Sequence, residues 1–411
     1  MRRRTHEAPS RRMCVSSDAG VSVSSRCLDG KQVLLAVSGG IAAVESVKLS
    51  RELRRHGASV VSMMTRSAEK VISPLALSWG SGSDVLTEWD SEMAQLGRFD
   101  GVLLAPATRN TIAKHVHGVM DSPVMMALSA ARGSKTPLMF VPSMHDDLFD
   151  DPVTEELIDS LEFTGAFVLL EDSIESRRKQ PSAPTIVANF SNIINKNLPG
   201  RKRIAITLGA NRAQIDAVRA IQNTSSGQTG WAIAEHLYRM GHEVICIVGE
   251  TSVQPSFHLP DLRFDSTPDG MLSLCIELAS SEIAPEAWIH AAAVLDYIPR
   301  IEEGKKSSGE GQWDLSLFPV SKHIEELSEL VKGMIRIGFK LEVDTSEDDL
   351  IESANKQIST YGLDAVIANF MDEVRNNTSP RCRIVMPGGK ANVLQDRLEM
   401  CEAIEAIISA N

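Results

Sequence analysis

Residues 31–57 read KQVLLAVSGGIAAVESVKLSRELRRHG. An apolar run closes at Val37, Ser38–Gly39–Gly40 follow, and a helical pattern then continues to Gly57. Strand, glycine turn and helix in that order form the first half of a βαβ unit. The theme recurs downstream. ASVVSMMT (58–65), FDGVLLAPAT (99–108) and TPLMFVPSM (136–144) are each an apolar run ending in small or polar residues. Strands alternating with helices predict a parallel, doubly wound sheet. Such sheets bind ligands beyond the carboxyl ends of their strands, so the informative loops follow Val37, Met64, Leu104 and Val141.

A polar, proline-bearing stretch around 175–203 interrupts the series, and a linker is assigned to 179–202. A second series follows: RIAITLGAN (203–211), a helical pattern near 229–240, GHEVICIVGE (241–250), AWIHAAAVLDY (287–297), GMIRIGFKLE (333–342) and LDAVIANF (363–370). The predicted fold class is α/β, with two doubly wound Rossmann-like domains at 31–178 and 203–411. The two halves are not close repeats of each other.

Composition agrees with two domains. The chain has 411 residues, 43% of them hydrophobic, which is long for a single core. No apolar run approaches the ~18 residues of a membrane span. A net charge of -12 argues against broad nucleic-acid binding. The six cysteines are scattered with no CxxC pair, which fits a reduced, cytoplasmic protein without a structural zinc site. Residues 1–30 are rich in Arg and Ser and lack apolar periodicity, so they are read as a disordered extension. A transit peptide would share that composition, but Glu7 and Asp18 count against it.

Several loops carry candidate chemistry. Ser38, Gly39 and Gly40 between strand and helix suit close approach of a phosphate, or simply a tight turn. In APATRNTIAKHVHG (105–118), Thr108, Asn110 and Lys114 follow a buried strand, and VPSMHDDLF (141–149) puts His145 at another strand end. In the second half, RAIQNTSSGQTGWAIAEHL (219–237) packs Asn223, Ser225, Ser226 and Gly227 in front of a helix. That is either an ordinary cap or an anion cradle. Gly209 ends the preceding strand, and Arg212 and Arg219 lie between, a pairing that suits an anionic ligand. Asp296 ends the strand of AWIHAAAVLDY and is a candidate for a magnesium or ribose contact. EGKKSSG (303–309) is either a solvated surface loop or a loop that closes Lys305 and Lys306 over a polyphosphate.

Together these motifs resemble a known family. AVSGGIAA, MMTRSAEKVISP, LLAPATRNTIAKHVHGVMDSPV and VPSMHDDLF are similar, in order, to the motifs of flavin-containing cysteine decarboxylases. TLGANRAQIDAVRAIQNTSSGQTG, AAAVLDY, EGKKSSG, IGFKLE and VIANF resemble phosphopantothenate–cysteine ligase. The chain thus resembles, over about 31–410, the fused bifunctional enzymes of coenzyme A synthesis in an archaeal-like version. The resemblance implies FMN in the first half, held by Ser38, Gly39, Gly40, Thr65, Thr108 and Asn110, with Met144 and His145 facing substrate. It implies Mg²⁺ and CTP or ATP in the second half. There Asn223 and Lys305 would act on the acyl-nucleotide and the phosphates. Gly209, Arg212, Arg219, Ser225, Ser226, Asp296, Lys306, Lys322, Phe339 and Lys340 would bind nucleotide or substrate, with Asp296 at the metal. Implied partners are 4′-phosphopantothenate, cysteine and a nucleoside triphosphate, in a homo-oligomer with no nucleic acid and no membrane.

The sequence also departs from the family pattern. The segment that usually holds a catalytic His reads SEMAQLGRFDG (91–101), with Glu92 near that slot, and 171–184 lacks the usual lid Cys. Gln228 stands where the motif has Lys, FPVSK (318–322) replaces the nucleotide motif, and Phe370 replaces an Asp. A ligase whose flavoprotein half has become a binding or oligomerisation module is the alternative.

Overall fold

The computed structural model describes residues 20–410 apart from 92, 94–95, 172, 175–176, 308 and 310. The chain divides at Val187/Ala188 into two compact units. The first is built on β1 (Gln32–Val37), β2 (Ser59–Met64), β3 (Val85–Leu86), β4 (Gly101–Ala107), β5 (Leu138–Pro142) and β6 (Phe167–Val168). Their order is β3-β2-β1-β4-β5-β6, and every pairing is parallel. Helices cover both faces, so the strands are buried on both sides and read as unbroken apolar runs rather than alternating ones. All seven residues of β4 are buried. Leu34, Val102, Leu104 and Phe140 are fully inaccessible in one core cluster. Each such side chain contributes roughly 1.5–3 kcal/mol of burial.

The second unit is built on β7 (Arg203–Leu208), β8 (Glu243–Val248), β9 (Asp261–Phe264), β10 (Ala287–His290), β11 (Ile335–Glu342), β12 (Ala365–Phe370), β13 (Cys382–Val385) and β14 (Ala391–Leu394). Their order is β9-β8-β7-β10-β11-β12-β13-β14. The first six are parallel and the last two antiparallel. Within each unit the strand order reverses beside the first strand. This is the topological switch point, where a crevice opens outside the carboxyl ends.

Two stretches differ from their sequence reading. Residues 1–19, most of the expected extension, lie outside the described residues, but the remainder joins the first unit. Leu28 is fully buried, and Ser25 Oγ lies 2.6 Å from His56 Nδ1. Within the assigned linker, Ala183–Asn195 forms a helix. From Ala188 on it belongs to the second unit, where Asn192 donates to the Tyr238 carbonyl at 2.8 Å and Asn195 to that of Arg239 at 2.9 Å. Asparagines that look like solvated linker residues are there to satisfy the end of a neighbouring helix. No helix among the described residues is long and apolar enough to cross a membrane.

Candidate functional site

In the first unit the switch point is held shut by one hydroxyl. Ser38 is fully buried; its Oγ donates to the Pro106 carbonyl at 2.7 Å and accepts from Thr108 N–H at 2.8 Å. Ser38 therefore ties the turn after β1 to the turn after β4. Gly39 has a steric reason of its own. A Cβ there would lie 2.3 Å from Ser67 Cβ, so the close approach it permits is to the loop after β2. A Cβ at Gly40 would meet Thr108 Cγ2 at 3.4 Å.

These ties frame a cavity of about 640 Å³ at the carboxyl edge of the sheet. Gly39, Thr65, Thr108 and Asn110 all line it. Thr108 caps helix Arg109–Val116, and its Oγ1 lies 3.0 Å from that of Thr111. Of the charged rim, the sequence reading picked out Lys114 but not Arg66, Glu88 or Asp121. Arg66 donates twice to Glu88, at 3.0 Å each, and Lys114 pairs with Asp121 at 2.5 Å. Both pairs line the same cavity. His145 is not among its lining residues. It caps the short helix Asp146–Phe149, with Nδ1 accepting from Asp147 N–H at 3.3 Å and the Asp147 carboxylate 3.1 Å away. Glu92, the runner-up for the missing histidine, lies outside the described residues.

In the second unit the segment between β7 and helix Gln228–Arg239 is long enough to form its own hairpin, Arg212–Gln214 against Ala220–Gln222. The Gly209 carbonyl accepts from Ala293 N–H at 2.8 Å, binding this segment to the loop after β10. Asn223 reinforces that link: its Nδ2 donates to the carbonyls of Ala293 (3.0 Å) and Val294 (2.9 Å). Ser225 Oγ accepts from Gly227 N–H and Ser226 Oγ from Gln228 N–H, both at 3.3 Å. The two serines thus build the turn that starts the helix. Gly227 takes φ +77, and a Cβ there would stand 2.5 Å from Thr251 Cγ2.

The lysine loop is held by a residue that the sequence reading did not single out. The Asp216 side chain is almost wholly buried and accepts from the backbone N–H of Val218 (2.9 Å), Arg219 (2.8 Å) and Lys306 (3.3 Å). It also pairs with the Arg219 guanidinium. These bonds, led by the Val218 N–H, hold its carboxyl down at about 2. Arg219 donates onward to the Lys306 carbonyl at 3.2 Å and lies 5.1 Å from the Trp313 ring centre. Lys306 Nζ stands 5.0 Å from the same ring. Arg219 and Lys306 are therefore engaged within the loop, while Lys305 is exposed with no side-chain partner among the described residues. The signal was present as an Asp three residues before an Arg. Arg212 is exposed and 3.9 Å from Glu250.

Asp296, Lys322 and Phe339 line one cavity of about 190 Å³ beyond β10 and β11. Lys340 does not. As the next strand residue it projects from the other face, where it pairs with Glu342 at 3.0 Å. The sequence reading missed three further lining residues, His290, His323 and Gln357. Burial pushes the His290 imidazole down to about 3 and lowers that of His323, which the Pro268 carbonyl partly offsets.

Two doubly wound sheets, the first all parallel and the second parallel but for its last two strands, each with polar loops gathered at the switch point, define a two-domain α/β protein. Residues 21–195 match the Flavoprotein family, and residues 200–408 match the DNA/pantothenate metabolism flavoprotein C-terminal domain. The chain is 37% identical to a coenzyme A biosynthesis bifunctional protein CoaBC of Thermococcus kodakarensis, over 85% of this chain and 88% of that one. It is 33% identical to the protein of that name from Methanocaldococcus jannaschii, over 85% and 86%. A solved DNA/pantothenate metabolism flavoprotein from Streptococcus pneumoniae aligns with 51% of this chain and 99% of its own at 26% identity, with a TM-score of 0.46. This chain belongs to the CoaBC family of bifunctional coenzyme A biosynthesis proteins.

Proposed function

We propose that the chain converts 4′-phosphopantothenate to 4′-phosphopantetheine in two steps. The ligase half, residues 203–411, joins cysteine to the activated carboxylate. The flavoprotein half, 31–178, then removes carbon dioxide from the product. One observation carries this reading: in each unit, residues expected to meet the ligand line a cavity at the carboxyl edge of the sheet.

The first cavity fits FMN in size, within the ~300–1,000 Å³ of cofactor pockets. Asn110 and the threonine hydroxyls of Thr65 and Thr108 supply hydrogen-bonding groups, and Gly39 lets the loop after β2 close against the turn that lines the cavity. A flavin there supplies the two-electron oxidation and reduction that bracket decarboxylation. The chain's part is to hold and orient it, with His145 as the candidate for proton transfer to substrate.

In the second unit, Lys305 is free to meet the charge that develops on the transferred phosphoryl group. Asp296 would hold Mg²⁺ together with the nucleotide phosphates, as single carboxylates commonly do. Asn223 fixes the floor on which the acyl-nucleotide forms and cysteine attacks. Incubation with 4′-phosphopantothenate, cysteine, Mg²⁺ and CTP or ATP, followed by mass spectrometry, tests the reading. Phosphopantetheine is the expected product. Accumulation of the cysteine amide alone supports instead a ligase with a silent flavoprotein half, which the missing histidine and lid cysteine motivate. A homo-oligomer is the expected assembly, and elution as a monomer overturns that part.

A further inference from the structure

The cavity at the carboxyl edge of the first sheet is balanced in charge. Its charged lining residues are Arg66, Lys114, Glu88 and Asp121, two cations and two carboxylates. Each cation already has a carboxylate. Arg66 donates from Nε to Glu88 Oε1 and from Nη2 to Oε2, both at 3.0 Å, and Lys114 pairs with Asp121 at 2.5 Å. A phosphate monoester carries about −1.5 to −2 charges near pH 7. A lining whose charges cancel offers it no net attraction. For a cation here to hold such a group, one of the two pairs must open.

The pairs differ in what opening costs. Arg66 and Glu88 keep 79% and 60% of their side-chain surface exposed, so both stay hydrated whether paired or apart. Lys114 and Asp121 keep 34% and 49%, and their contact is shorter. Glu88 can turn into water, whereas parting Lys114 from Asp121 strands a half-buried ammonium. The chemistry at Arg66 also suits a phosphate. The fork of N–H groups that grips the Glu88 carboxylate fits two phosphate oxygens equally well. Thr65 and Ser67, its neighbours in the turn after β2, line the cavity with it. Thr65 Oγ1 accepts from Ala68 N–H at 3.3 Å, which leaves its own hydroxyl hydrogen to donate.

We propose that Arg66 reads a phosphate monoester in this cavity, and that Glu88 holds its guanidinium until the phosphate takes the carboxylate's place. The inference rests on the flavin reading above. Two phosphates share that chemistry, the one on FMN and the one on the 4′-phosphorylated substrate.

The test uses the full chain freed of flavin and compares equilibrium binding of FMN with that of riboflavin, which lacks the phosphate. Arg66→Gln is expected to weaken FMN binding about tenfold and to leave riboflavin unmoved. Glu88→Gln removes the competing charge and is expected to tighten FMN about threefold, again without effect on riboflavin. The difference between wild type and Arg66→Gln should shrink as salt is added. If the phosphate read is the substrate's, flavin binding stays level. Arg66→Gln then raises the KM for 4′-phosphopantothenoylcysteine about tenfold, with the KM for unphosphorylated pantothenoylcysteine unmoved. Arg66→Lys keeps the charge without the fork and should fall between wild type and Arg66→Gln in whichever arm responds. If both arms stay level in Arg66→Gln, or Lys114→Gln responds in its place, the inference is overturned and the flavin reading stands. A wild-type chain that takes up neither flavin overturns the flavin reading and the inference with it.

Discussion

After β1 the chain turns through Ser38–Gly40 straight into helical structure, and after β7 it runs through 209–227 before helix Gln228–Arg239 begins. The strand order around both turns is the same. In the first unit one buried hydroxyl fastens the switch point, and the cavity is framed by short turns. In the second, an amide (Asn223), a carboxylate (Asp216) and a hairpin together fasten three loops, one of which presents Lys305. The same topology thus yields a preformed slot in one half and, in the other, a site whose parts are positioned by side chains. A flavin stays bound through turnover and needs little more than a slot. Carboxylate activation needs a cation brought to a phosphoryl group, and so needs a held loop.

The largest effect that would break this contrast is at Lys305. Lys305→Gln should reduce pyrophosphate release at least ~100-fold with flavin content unchanged. If Lys306→Gln fails instead, the loop faces its ligand with the residue now stacked near Trp313. In the first unit the matching change is Gly39→Val, which forces a side chain into Ser67 and should abolish flavin binding, read from the visible spectrum of the purified protein. Asn110→Ala should weaken flavin binding about tenfold while leaving the fold intact. Full flavin content in both variants removes this cavity as the flavin site.

Asn223→Asp sharpens the comparison further. It would set a carboxylate against two carbonyl oxygens now served by Nδ2, so acyl-nucleotide formation and cysteine transfer should fall together. Normal pyrophosphate release with failed transfer would instead give Asn223 a role at the acyl-nucleotide alone. The smallest effect concerns acid. Asp216 has its pKa lowered from 3.8 to about 2, so its contribution to stability is complete above pH ~4 and is lost as pH falls towards 2. Trp313 fluorescence should report that loss in the wild type. Asp216→Asn should lack the transition and should raise nucleotide KM about tenfold at neutral pH, through the loosened loop.

Much of this was legible in sequence because it depends on local pattern. Apolar runs ending in glycine named the parallel strands, since strands buried on both faces must be apolar throughout. Thr65, Thr108 and Asn110 could be expected to line one cavity because a doubly wound sheet sends the ends of its parallel strands to one edge. Asp296 was picked out at a strand end and Lys322 and Phe339 by a family resemblance, and the fold brings all three to one cavity. What the sequence could not show depends on partners distant in the chain. Nothing local to Ser38 showed that its hydroxyl would meet Pro106 and Thr108. Arg219 looked free for an anion until Asp216 and Lys306 claimed it. The antiparallel pair β13–β14 was hidden by its short strands. His290, His323 and Gln357, on three separate elements, share one small space only after β10 and β11 align beside the helix Glu347–Tyr361. A strand's burial is written in its own residues, whereas a hydrogen bond needs two groups whose meeting is decided by the packing of everything between them.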